Sequence, residues 1–349
     1  MSDLRIVVVG ASAGGVEALT GFAESLPPDL DAAVLVVLHL SATARSVLPQ
    51  ILSRAQNLGA TYPKNEQRIQ RGRIYVAPPD HHLLVADDRL LLNRGPRVNC
   101  CRPAIDPLFR SAAVHYRERS IGIILSGTLD DGAEGLRAIK DAGGVAIVQS
   151  LAESAFTGMP NAAIEACSPD YVVRSREMGP LIEQILVKRL APTNPSQEAL
   201  IELAIEEMAG DPNASKELGA VSEFACPECG GCLWEIVDDR NFRFRCRVGH
   251  AYSARHLLDE QTVHFDRALW TALRALRERA DLSKRLSRRF RALNPRTAER
   301  YDIQAQQSEE EANELLRLMR EVKIAVDPAL EDGPEPDAEK SEPGEVRPA

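Results

Sequence analysis

The sequence predicts an α/β protein, with a doubly wound parallel sheet over residues 1–190 followed by a small zinc-ribbon-like module and a helical hairpin. Three observations predict this. Short, continuous apolar runs alternate with helix-favouring stretches through the first half of the chain. A Cys-x2-Cys pair and a Cys-x3-His pair follow at 226–250. Two long, charged, helix-favouring segments come after them.

Residues 5–10 (RIVVVG), 34–40 (VLVVLHL), 120–126 (SIGIILS) and 145–149 (VAIVQ) are short runs rich in β-branched residues. Runs of this kind suit strands buried on both faces, as in a parallel sheet. Between them, residues 16–26, 46–56, 106–116, 132–142 and 160–166 read as helices, and the alternation implies helices on both sides of the sheet. Residues 73–79 and 82–92 read as an additional strand and a hairpin. The breaker-rich 191–195 (APTNP) marks a boundary. It opens a linker and acidic helix over 191–224, and the Cys-rich module spans 225–252. Two helices, 254–290 and 297–324, separated by Asn294-Pro295, make a hairpin over 253–326. Residues 327–349 are acidic and rich in Pro and Gly with almost nothing to bury, so they read as a disordered tail.

The net charge of −9 lies entirely in the second half. Residues 1–190 hold 20 basic and 20 acidic side chains, and the remainder 22 against 31. No basic face points to nucleic acid. No stretch approaches the roughly 18 apolar residues a membrane span needs. The N-terminus shows no secretory pattern, so the expected location is cytoplasmic. With four of seven cysteines between 226 and 246, metal binding is expected over disulfides.

Gly10-Ala-Ser12-Ala-Gly14-Gly15 follows a buried strand and opens a helix, the context of a Gly-x-Ser-x-Gly nucleophile elbow. Such a turn presents Ser12 at the carboxyl edge of the sheet, beside the positive end of a helix dipole. A dinucleotide-binding loop is the competing reading. Against it, Ser12 occupies the second glycine position of that fingerprint, and the second strand ends in His39 where an acid is wanted. A third strand-to-helix turn carries Asp130 and Asp131. A carboxylate there is expected to accept Nδ1–H of His39; alternatively the two aspartates simply cap the helix from Gly132. The Ser…His…Asp order departs from the Ser…Asp…His of ordinary α/β-hydrolases.

Several motifs occur together and in family order. They are Gly10–Gly15, the strand ending in His39, Tyr75-Val-Ala-Pro-Pro79 with His82, Arg102-Pro-Ala-Ile-Asp-Pro-Leu-Phe-Arg-Ser-Ala112, Asp130-Asp-Gly-Ala133 and Gly158-Met-Pro160. Over about residues 4–190 the chain resembles the catalytic domain of the chemotaxis protein-glutamate methylesterase (CheB) family. The resemblance implies a doubly wound fold and a carboxylic ester hydrolase without catalytic cofactor. It also implies hydrolysis of glutamyl methyl esters on a chemoreceptor-like protein, with glutamine deamidation as an accompanying activity. Ser12 is then the nucleophile, His39 the base and Asp131 the orienting acid, Asp131 being chosen over Asp130 because it directly precedes Gly132-Ala133. Ala13 stands where well-known members carry Thr, and Thr128-Leu129 replaces a Met-Gly pair, although the Thr128 N–H remains available to an oxyanion. No receiver domain precedes the first strand in this sequence, so control by an aspartyl phosphate in cis is not expected. Two alternatives stand beside the esterase: a receiver-less signalling or binding module that keeps the fold, and a serine esterase acting on a non-chemotaxis protein.

Cys226-x2-Cys229, sixteen residues, then Cys246-x3-His250 has zinc-ribbon spacing and suits a structural zinc ion. The alternative is a metal-free hairpin packed on its neighbours; Cys232 is a spare thiol. Leu257, Leu258, Ala268, Leu269, Ala272, Leu273 and Leu276 recur at helical spacing. They form a core stripe or a face for a protein partner or self-association. His81, His82, His115, Tyr116, Cys100, Cys101 and Cys167 are assigned no role, and Arg102 is read as either a substrate contact or a structural ion pair.

Overall fold

The computed structural model describes residues 4–41, 46–54, 58–188, 193–207, 215–237 and 242–325. The expected tail at 327–349 lies outside the described residues. Met1–Gln261 forms one compact unit and Thr262–Ala349 a second.

The first unit opens with β1 (Ile6–Ala11), α1 (Gly15–Ser25), β2 (Ala33–Leu38), α2 (Leu48–Ser53), β3 (Gly59–Thr61), β4 (Gln67–Arg68) and β5 (Arg73–Val76). A hairpin of β6 (His82–Ala86) and β7 (Arg89–Asn93) follows, then α3 (Ile105–Tyr116), β8 (Ser120–Ile124), α4 (Ala133–Asp141), β9 (Val145–Gln149), α5 (Gly158–Cys167), β10 (Tyr171–Val173) and α6 (Met178–Leu186). Seven strands make one parallel sheet in the order β10-β9-β8-β1-β2-β5-β3. The strand alternation divides its apolar side chains between two cores. Ile6, Val8, Leu35 and Val37 pack with Ile105, Phe109 and Leu136 on one face. Val7, Val9, Val34 and Val36 pack with Leu19, Phe22 and Ile182 on the other. Burial on both faces is why these strands read as unbroken apolar runs.

Strands β3, β4 and β10 escaped the sequence reading. They are two or three residues long and partly exposed, too short to show a period. The β6–β7 hairpin turns through Asp87 and Asp88, both with positive φ, as a two-residue turn between strands requires.

The same unit continues with α7 (Gln197–Glu206), α8 (Ser215–Leu218), the four-stranded antiparallel sheet β11 (Ala220–Ala225), β12 (Cys232–Val237), β13 (Phe242–Cys246) and β14 (Ala251–Ser253), and the start of α9 (Ala254–Phe290). A buried ion network ties these parts to the parallel sheet's helices. Arg110 of α3 meets Glu202 at 2.7 Å, Glu206 at 2.6 Å and Asp106 at 3.4 Å. Arg245 of β13 meets the same two glutamates at 3.4 and 3.3 Å, and Arg243 pairs with Glu198 and, at 3.7 Å, Glu202. The acidic helix is therefore a bridge between α3 and β13, and its glutamates are the counter-ions of three buried arginines. A buried charge is tolerated only when paired in this way.

In the second unit, the remainder of α9 pairs with α10 (Pro295–Ala325). Leu273, Ala312 and Met319 pack with Leu269, Leu276, Leu315 and Leu316, so three residues of the expected stripe face the neighbouring helix, while Leu257 packs in the Cys/His cluster and Leu258, Ala268 and Ala272 are exposed. The Asn294 side chain accepts from Thr297 N at the start of α10. No helix among the described residues is long and apolar enough to cross a membrane.

Because Arg110 pairs with three buried carboxylates, Arg110→Met leaves Asp106 without its ion pair and Glu202 and Glu206 without their shortest one. It is expected to destabilise the protein by about 3–5 kcal/mol, read as a lowered urea midpoint. A loss below about 1 kcal/mol, the scale of an exposed ion pair, would contradict the network's role.

Candidate active site

In the parallel sheet the strand order reverses between β1 and β8, and ligands of open α/β sheets bind at the carboxyl ends of the strands beside such a reversal. Ser12 sits there. Its N–H donates to Ser126 O at 3.0 Å on the β8 side, while His39 N donates to Ala11 O at 3.1 Å on the β2 side. Gly14, at φ +68°, lets the chain turn directly into α1, and Ser12 O accepts the N–H of Gly15. A side chain at Gly127 would place its Cβ 2.9 Å from Ser12 Cβ and against Met159 Sδ. Glycine there keeps space open beside the serine. The Gly158-Met159-Pro160 motif thus packs next to Ser12, with Met159 N bonded to Gly127 O at 2.9 Å.

His39 Nε2 lies 2.7 Å from Asp131 Oδ2. This corrects the expected contact through Nδ1: the ring is turned so that Nε2 faces the acid and Nδ1 is left for another partner. Among the described residues no hydrogen bond joins Ser12 Oγ to His39. Serine–base contacts are commonly long in ligand-free sites. Asp131 does not cap α4; the N-cap is Gly132, in the left-handed conformation and without a side-chain cap bond. The carboxylate of Asp131 is fully buried and accepts three hydrogen bonds: from His39, from Ile105 N at 2.7 Å and from Asn99 Nδ2 at 2.9 Å. Burial alone would raise its pKa, but the three donors and the positive charge of His39 outweigh burial and hold it down at about 2. Burial likewise disfavours the imidazolium of His39, yet the bond to Asp131, aided by Cys101, pushes it up to about 10.

Sequence reasoning missed Asn99 and assigned no role to Cys101, whose thiol lies against His39. Their only signal was position, immediately ahead of the Arg102–Ala112 motif. Arg102 pairs with Asp80 at 2.7 Å and donates to Gly95 O, so it is a structural ion pair. His82 is buried between Pro96 O and Ala104 N, and burial holds it down at about 4. Asp106 caps nothing on its own helix; it accepts from Gly135 N at 2.7 Å, and burial pushes its pKa up to about 7.

A second group of candidate side chains lies in and beside the four-stranded sheet. One ligand atom from each of Cys226, Cys229, Cys246 and His250 falls within 4.8 Å of all the others. Cys229 and Cys246 sulfurs are 3.8 Å apart, and His250 Nδ1 is 3.6 and 3.5 Å from Cys226 and Cys246. Metal–sulfur bonds of about 2.3 Å in a tetrahedron imply sulfur–sulfur edges of about 3.8 Å. The donor set therefore fits a tetrahedral ion. Glu228 holds the other nitrogen of His250 at 3.0 Å, the orienting contact that metal-bound imidazoles usually have. Cys232 stands outside the cluster, bonded to Leu233 O.

The family model for CheB methylesterase matches residues 7–182. A Leptospira interrogans protein named "Putative protein-glutamate methylesterase/protein-glutamine glutaminase" is 38% identical over 180 residues, which cover 51% of this chain and 93% of that protein. A protein-glutamate methylesterase/protein-glutamine glutaminase of Maricaulis maris is 34% identical over 180 residues, covering 50% of this chain and 45% of that one. Among solved structures, the CheB methylesterase catalytic domain of Thermotoga maritima matches with a TM-score of 0.50 and 28% identity, over 53% of this chain and 98% of that one.

The imidazole of His39 is expected to titrate far above 6.5, and Asp131→Asn, which removes the charge favouring the imidazolium, to bring it down. Proton NMR of the ring C–H signals over a pH series measures both. Titration near 6.5 in the unaltered protein would contradict the strong His39–Asp131 contact.

Proposed function

Since the chain belongs to the CheB methylesterase family, whose relatives are carboxylic ester hydrolases, we propose that it hydrolyses glutamyl methyl esters on a chemoreceptor-like protein, and deamidates glutamines there, with Ser12, His39 and Asp131 as its catalytic residues. The observation that carries this reading is the His39–Asp131 bond through Nε2, in a turn whose neighbour across the strand ends is Ser12. With Nε2 committed to the acid, Nδ1 is the ring atom that takes the serine proton.

The reaction is acyl transfer. Ser12 Oγ attacks the ester carbonyl as Nδ1 accepts its proton, and Asp131 stabilises the imidazolium. Backbone N–H groups of Ala13 and Thr128, which donate to no protein acceptor among the described residues, are assigned to the tetrahedral oxyanion, aided by the positive end of α1. His39 then protonates the leaving methanol, or ammonia in deamidation. Water, deprotonated by His39, releases glutamate from the acyl-enzyme.

We assign a structural zinc ion to Cys226, Cys229, Cys246 and His250. Four protein donors leave no open position for chemistry, and the ion would supply folding energy to a small sheet with few buried apolar side chains. The exposed apolar residues of the helical pair, among them Phe265, Leu282 and Ile303, suit a protein partner or a second copy of the chain.

Methanol release from a methylated receptor fragment tests the esterase. Ser12→Ala is expected to cut it about ten-thousandfold or more, and Ser12-independent release would overturn the assignment. Because only neutral His39 accepts a proton and its pKa is raised, the rate is expected to climb with pH from neutrality toward about 10; a plateau already complete near pH 7 contradicts this. Elemental analysis of unchelated protein is expected to find one zinc per chain, and clearly less counts against the metal.

A further inference from the structure

The Cys/His sheet and the triad acid are joined by a short, specific set of hydrogen bonds. Strand β14 follows His250 directly. Ala251 N donates to Arg97 O at 3.2 Å and Ala251 O accepts from Asn99 N at 2.8 Å, which lays β14 beside residues 97–99. Ser253 N then donates to Asn99 Oδ1 at 2.8 Å, and Asn99 Nδ2 donates to Asp131 Oδ1 at 2.9 Å. Alongside, Ser253 Oγ donates to Asp130 Oδ1 at 2.7 Å, and His256 Nδ1 meets the same oxygen at 2.7 Å. Both aspartates of the Asp130-Asp131 turn are therefore held from the Cys/His side.

The segment between them is shaped for this purpose. Asn99 and Cys100 both have positive φ, 50° and 63°, a conformation that asparagine tolerates better than most residues. The turn sends Asn99 to the acid, Cys100 into the apolar cluster around Cys226 and Tyr252, and Cys101 to His39. Asn99 is almost wholly buried, so its amide must face each oxygen with a donor and each N–H with an acceptor. The N–H of Ser253 demands Oδ1, and this leaves Nδ2 for the carboxylate. Nδ2 also lies 3.4 Å from Asp106 Oδ2, so two carboxylates face the N–H side of the amide and Ser253 N–H is the donor that holds its oxygen. With Ser253 withdrawn, that oxygen loses its partner and the side chain its anchor on the Cys/His side.

We propose that Asn99 is a positioning residue for the esterase site, and that through it the docked Cys/His module holds Asp131 in the geometry that orients His39. This rests on the assignment of Ser12, His39 and Asp131 above. The module is then a control element of the active site within the same chain, and its folded state sets the turnover rate.

Three full-length variants test this. Asn99→Gly deletes the side chain at a φ that glycine accepts freely. Asn99→Asp keeps an acceptor for Ser253 N but removes the donor to Asp131. Cys226→Ser/Cys229→Ser disrupts the module and leaves every residue around the triad in place. Two readouts are taken: kcat and KM for p-nitrophenyl acetate with Ser12→Ala as the baseline, and the downfield proton NMR signal of the His39–Asp131 hydrogen bond. Both Asn99 variants are expected to lower kcat roughly tenfold to a hundredfold, the scale of a bond to a charged group, with KM little changed. The proton signal shifts or is lost to exchange. The double cysteine variant is expected to show the same signal change with Asn99 intact. Wild-type kcat and an unmoved signal in Asn99→Gly and Asn99→Asp overturn the positioning role. A response to the Asn99 variants but not to the cysteine variant overturns control by the module. If Ser12→Ala retains the activity, the triad assignment is what has failed, and the proton signal still decides the role of Asn99. Should Asn99→Gly not fold, Asn99→Asp, which retains the bond to Ser253, decides alone.

Discussion

The carboxylate of Asp131 lies wholly out of water, and a charge there persists only where hydrogen-bond donors replace the lost solvent. Three donors do so, and each comes from a different part of the chain: the end of β2, the first turn of α3 and the segment before it. To meet at one side chain, β2 and β8 must flank β1, and α3, packed on one face of the sheet, must bring its first turn to the carboxyl edge. The register that pairs Gly10 with both Val37 and Ile124 puts the serine and histidine turns level with the aspartate turn. The constraint runs in both directions, since the fold assembles the donors and the buried charge penalises any arrangement that omits one.

A second set of buried charges makes the C-terminal segment part of the same unit. Arg110 projects from the helix whose first N–H binds Asp131, and its counter-ions Glu202 and Glu206 also serve Arg245 of the Cys/His sheet. Helix α7 is thus tied to α3 through Arg110 and to β13 through Arg243 and Arg245. Pairing of this kind contributes less to net stability than apolar packing of equal area, but it is exacting about geometry. That exactness fixes β14 beside Asn99, close enough for single hydrogen bonds to reach the acid.

Much of the fold was legible in the sequence because it rests on local periodicity. The strands at β1, β2, β8 and β9 are continuous apolar runs, and the long helices α9 and α10 carry unbroken helix-favouring composition. The short edge strands were not legible, since two or three half-exposed residues carry no period. Within the site, Ser12, His39 and Asp131 each stand in a strand-to-helix or strand-end turn that announces itself along the chain. Asn99 does not. It is one polar residue in a loop, and its importance comes from partners 32 and 154 positions away.

The sequence by itself determined the parallel-sheet class, the order of the motifs, the residue types at the three turns and the spacing of the Cys/His knuckles. All of these are relations between near neighbours in the chain, where sterics and hydrophobic alternation act directly. Only the tertiary structure decided that Nε2 rather than Nδ1 of His39 faces the acid, that Asp130 turns to Ser253 and His256, and that the acidic helix serves as counter-ion to three buried arginines. Each of these is a choice of hydrogen-bond partner inside a region without water. There the alternatives differ by the cost of one unsatisfied polar group, and that cost exists only once distant segments have closed the solvent out.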